Sequence, residues 1–80
     1  MKYIVIKINT LETPILFPGN LTSAVIAEKL GSPVVSAALV EFGLARDSFD
    51  VEAKCFGFST SLGKCAREED GELITAFLNL

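Results

Sequence analysis

The sequence has no histidine and no tryptophan, and only seven basic side chains against ten acidic ones. Each shortage excludes something. Without histidine, acid–base and nucleophilic chemistry falls to cysteine, lysine and carboxylates, so enzymatic activity is the least expected function. Too few lysines and arginines are present for the electrostatic footprint of nonspecific nucleic-acid binding. The acids are too scattered to mimic a nucleic acid. No apolar run approaches the roughly 18 residues of a membrane span. Lys7 interrupts the first apolar run well short of a signal-peptide core, so a cytoplasmic location is expected. The two cysteines, Cys55 and Cys65, lack metal-site spacing and are expected as free thiols in a reducing compartment. No metal or cofactor is expected.

What is present is apolar. Half of the 80 residues are hydrophobic, and Leu, Ile, Val and Phe supply 28 of them. That is too apolar for a disordered chain, and the length implies a single domain over residues 1–80. So short a chain buries only about 60% of its unfolded surface. The surplus therefore predicts a contiguous exposed patch of the kind that marks a protein–protein interface. A dense monomeric core is the alternative.

The patterning predicts β-β-α-β-β-α. Ile4, Ile6 and Ile8 alternate with Tyr3, Val5 and Lys7 in a strand over 2–9. A polar break at 10–13 precedes a second strand at Pro14–Phe17, with Pro14 at a strand start or edge. A helix from Leu21 or Thr22 to Leu30 follows, capped by Asn20 or Thr22, with Val25, Ile26 and Leu30 as its stripe and Gly31 as its stop. Residues 34–44 read as a strand with two apolar faces and 51–58 as its hairpin partner. Residues 59–66 are irregular. The last helix spans Arg67 to Leu78, with Glu68, Glu69, Asp70 and Glu72 complementing its dipole and Leu73, Ile74, Phe77 and Leu80 as its stripe. The expected architecture is α+β, a four-stranded antiparallel sheet with both helices on one face. The other face would expose Tyr3 and Val5, and a two-fold homodimer would bury it.

Two further groups are candidates for contact. Phe49, between two aspartates in the 43–50 loop, is either a plug over the core or an anchor for a partner. Ser59, Thr60, Ser61 and Gly63, with Lys64 and Arg67, could bind an anion before the last helix. Strand exit and helix capping are the plainer reading of that segment. The stretch Phe56 to Lys64 lacks P-loop spacing, because five residues separate Gly57 from Gly63 and Cys65 stands where Ser or Thr is needed.

Met1-Lys2-Tyr3, Pro14-Ile15-Leu16-Phe17-Pro18, Val35-Ser36-Ala37, Phe56-Gly57-Phe58-Ser59-Thr60-Ser61-Leu62-Gly63 and Arg67-Glu68-Glu69-Asp70 together resemble short uncharacterised proteins encoded by bacteriophages and prophages of proteobacteria. Ala66 and Glu68 stand where that group often has Ser before the Arg and Pro after it. The resemblance implies a genomic setting and no mechanism. In that setting the expected function is non-enzymatic, by contact with a host or phage protein, with inhibition of a host defence factor its most concrete form. A small-ligand or anion binder, or a minor virion or assembly component, is the alternative.

Overall fold

The computed structural model describes residues 1–44 and 50–80. Strands β1 (Lys2–Ile8), β2 (Leu11–Phe17), β3 (Val34–Leu44) and β4 (Val51–Phe56) form one antiparallel sheet in the order β2-β1-β3-β4. Helix α1 is Ser23–Leu30 and helix α2 is Glu68–Leu78. A small hairpin, β5 (Phe58–Ser59) with β6 (Lys64–Cys65), precedes α2. The α+β class and the four-stranded antiparallel sheet are as the sequence predicts.

The boundaries that differ do so for local reasons. Asn9 takes a left-handed conformation (φ 58°), so Asn9-Thr10 closes a two-residue hairpin turn. The chain therefore re-enters the sheet at Leu11, opposite Ile8, and the expected break at 10–13 is part of β2. Gly57, at φ 78°, ends β4 before Phe58. The segment 59–66 holds a short hairpin closed by the Gly63 N–H to Ser59 carbonyl bond (2.9 Å).

The helices pack on opposite faces rather than on one. Tyr3, Val5, Ala38, Val40 and Ala53 form one core with Ile74 of α2. Ile4, Ile6, Phe17 and Ala37 form a second, against which Ile26 and Ala27 of α1 and Leu62 pack. Both faces of β1 are apolar, and burying only one would leave the other in water. Tyr3 and Val5 are consequently fully buried (0% exposed) and present no surface to a partner. A β-bulge where β3 passes Val5 and Ile6 sends Val34 to the α1 side and Val35 to the α2 side, against strict alternation. The helix stripes are narrower than expected: Val25 and Leu30 of α1 are exposed, as are Phe77 of α2 and Leu80 beyond it.

Helix α2 touches both edge strands. On one side Ile74, Phe77 and Leu78 line a groove with Pro14, Ile15 and Leu16 of β2. On the other, Gly71, Thr75 and Asn79 meet the outer edge of β4. The Ala53 N–H donates to Thr75 Oγ1 (2.9 Å), the Val51 N–H donates to Asn79 Oδ1 (3.1 Å), and Asn79 Nδ2 donates to the Val51 carbonyl (2.7 Å). A Cβ at Gly71 would lie 3.1 Å from the Ala53 carbonyl oxygen. The glycine that weakens the helix by about 1 kcal/mol relative to alanine is what lets it lie against the strand.

Candidate functional site

The most polar buried feature is a network at the start of α2. Asp70 is fully buried (0% exposed). Its Oδ2 accepts from the Tyr3 hydroxyl (2.6 Å) and the Arg67 backbone N–H (2.9 Å), and its Oδ1 from Arg67 Nε (2.9 Å). The Arg67 guanidinium then forks onto Glu12 of β2, Nη2 to Oε1 at 2.8 Å and Nη1 to Oε2 at 3.2 Å. Burial pushes the Asp70 carboxyl up, but the hydrogen bonds from Tyr3 and Arg67 outweigh it and hold it below its usual range. The Arg67 hydrogen bonds likewise lower Glu12. Burial, reinforced by Asp70, raises the Tyr3 phenol, and burial raises the Cys55 thiol. This arrangement pins α2 to β1 and β2. It also consumes Arg67, which is therefore not available to an anion.

The pH dependence of stability follows. Asp70 and Glu12 have folded pKa values below their unfolded ones, so their contribution is complete above about pH 5 and is lost as pH falls through the folded values. Tyr3 and Cys55 have raised folded values. Their contribution is complete below the unfolded pKa values, about 8.5 for Cys and 10 for Tyr, and is lost as pH rises beyond them. With no histidine in the chain, urea midpoints should be level from about pH 5 to 8 and fall on both sides. Tyr3→Phe should shrink the alkaline fall; an unchanged fall would remove Tyr3 as its source.

The remaining candidates separate. Ser59, Thr60 and Ser61 turn away from Arg67 toward the start of α1. There, with Lys2, Thr22 and Ser23, they line a cavity of about 250 Å³. Thr22 occupies the N-cap position but makes no side-chain cap bond. Ser61 supplies the cap from a distance, its Oγ accepting the Ala24 N–H (3.2 Å), and it sits 3.3 Å from Ser59 Oγ. Gly63 holds the β5–β6 turn in a left-handed conformation and is exposed, as is Lys64 on β6; neither lines the cavity. Phe49 lies outside the described residues. No family model, curated protein or solved structure matches the chain. Both cysteines are free, Cys55 half-buried and Cys65 exposed. Among the described residues no group of histidine, cysteine or carboxylate side chains could hold a metal ion, and no helix is long and apolar enough to cross a membrane.

Sequence reasoning missed a surface at the far end of β3. Pairing with β1 reaches only Lys2–Leu39, with one further bond from the Val40 N–H to the Met1 carbonyl (3.0 Å). Residues 40–44 go on paired with β4 alone. By strand alternation Val40, Phe42 and Leu44 share a face. Their exposure rises from 1% through 41% to 70% along the strand. Phe42 and Leu44 thus carry the apolar pattern of the core out of the core, on an arm whose β1-side edge has no strand beside it among the described residues.

Proposed function

We propose that this is a non-enzymatic protein that acts through protein–protein contact, and that the end of β3 makes the contact. The observation that supports the reading is the rise in exposure along Val40, Phe42 and Leu44 beside a strand edge that has no partner among the described residues. Such an edge binds an extended segment through backbone hydrogen bonds, with alternate side chains setting specificity. The occupant proposed is a second copy of the chain. In antiparallel self-pairing about Phe42, each Phe42 lies opposite its symmetry mate and Glu41 opposite Gly43, so no like charges oppose one another. The two sheets would join into one across a two-fold axis. Its compartment would be the cytoplasm, where free thiols persist. Inhibition of a host factor is proposed for the dimer on the phage-type resemblance alone.

Sedimentation equilibrium at micromolar concentration tests the contact. The wild-type chain should show twice its 8.6 kDa mass. Leu44→Glu, at a site already 70% exposed, should show a single chain with unchanged circular dichroism. A single-chain mass for the wild type would refute the dimer. A stoichiometric partner captured from a bacterial lysate, and lost in Leu44→Glu, would then keep the arm and replace its occupant.

A further inference from the structure

We propose that the cavity between the start of α1 and the β5–β6 hairpin is a binding site for a phosphate monoester carried on a flat apolar group. The cavity is rich in donors. Lys2 Nζ spends one N–H on the Leu21 carbonyl (3.0 Å), and an ammonium has three. Ser23 lines the cavity, is only 4% exposed, and has no hydroxyl partner among the described residues. Ser59, 8% exposed, and Ser61 share one hydrogen bond between two hydroxyls. That bond uses one of their two protons, and the Ala24 N–H already occupies Ser61 Oγ as an acceptor. Whichever serine donates, the other keeps a proton with no acceptor among the described residues. Thr60 adds a further hydroxyl at the rim.

The charge around the cavity points the same way. The chain carries a net charge of -3, yet this cavity is lined by one lysine and no carboxylate. It opens at the N-terminal end of α1, where the peptide dipoles present partial positive charge and free N–H groups. An oxyanion accepts from several donors at once, which a neutral ligand cannot match in a site that offers so many. The cavity also has an apolar lining, from Leu39 and from Phe58, a residue left 68% exposed. That lining suits a flat apolar body attached to the phosphate.

Phenyl phosphate is the probe, titrated into the full chain and followed by amide chemical shifts. Saturable shifts confined to residues 22–25 and 58–61 are expected. Lys2→Met should weaken binding about tenfold, the loss of one charge-assisted contact, while Lys64→Met leaves it unchanged. Thr60→Val, at an exposed position, should weaken it less and decides the matter should Lys2→Met lose its dispersed spectrum. Inorganic phosphate should bind at the same amides but more weakly. The proposal is overturned by no saturable shift at millimolar ligand, by shifts spread over the lysine-bearing surface, by equal losses in Lys2→Met and Lys64→Met, or by equal affinity for phosphate and phenyl phosphate.

Discussion

Asp70→Ala should leave the chain barely stable at room temperature. The substitution removes a fully buried carboxylate that accepts from the Tyr3 hydroxyl, the Arg67 backbone and the Arg67 guanidinium. Breaking a buried pair by deleting one partner costs about 3–5 kcal/mol, because the other partners stay behind without acceptors. Domains of ordinary size are stable by only about 5–15 kcal/mol, and a short chain lies toward the bottom of that range. Asp70→Asn separates the charge from the shape. The amide oxygen still accepts from Tyr3 and the Arg67 backbone, while the amide nitrogen in the place of Oδ1 gives Arg67 Nε no acceptor, and Glu12 still holds the guanidinium. A smaller loss, about 2 kcal/mol, is expected. Urea unfolding followed by circular dichroism reads both. Equal losses would show that charge and not shape holds the network. A loss below 1 kcal/mol for Asp70→Ala would remove the network as a mainstay of the fold.

Gly71→Val should be nearly as damaging, for a steric reason. Even a lone Cβ at this position sits 3.1 Å from the Ala53 carbonyl oxygen. A branched side chain must push α2 off β4. Overpacking alone costs about 1–3 kcal/mol. The same displacement lengthens the bonds from Thr75 and Asn79 to Ala53 and Val51, each worth about 1 kcal/mol. A total near 3 kcal/mol is expected, together with concentration-dependent aggregation, because an uncovered β4 edge can pair with another chain. Gly71→Ala is the control. Its helix-propensity gain of about 1 kcal/mol should be cancelled by the tight contact, leaving stability unchanged. A full gain in Gly71→Ala would show that the helix and strand have room to separate.

Much of the sheet could be read from residue pattern. The period-two run from Lys2 and the apolar stretch 34–44 mark β1 and β3 because alternation and β-branched side chains act locally. The layering could not be read the same way. The pattern shows that β1 is apolar on both faces, and the inference of an open face fails because a short helix with an exposed Val25 still covers Ile4 and Ile6 through Ile26 and Ala27. Leu62, alone in a polar stretch, completes that cover. The role of Asp70 was hidden among its acidic neighbours, all of which suit a helix start. A signal existed: Tyr3, the only tyrosine, on an otherwise aliphatic strand, needs a polar partner for its hydroxyl once buried. Arg67, expected at an anion site, was already committed to Glu12 across 55 positions of sequence, a distance no local pattern conveys. The cavity's serines were named from sequence, but Lys2, Thr22 and Ser23 come to them only through the fold.

The two-sided sheet acts as a partition. The core above it and the core below it are built from alternate residues of the same strands and share the strand backbone. Ala37 and Ala38 are neighbours in the chain and belong to different interiors. An event at the mouth of the α1-side cavity therefore reaches α2 through backbone, that of β1 and β3 and that of the short link from β6 into α2. No side chain of the α1-side core belongs to the α2-side one, so a substitution in one interior disturbs the other through shared backbone rather than through packed side chains.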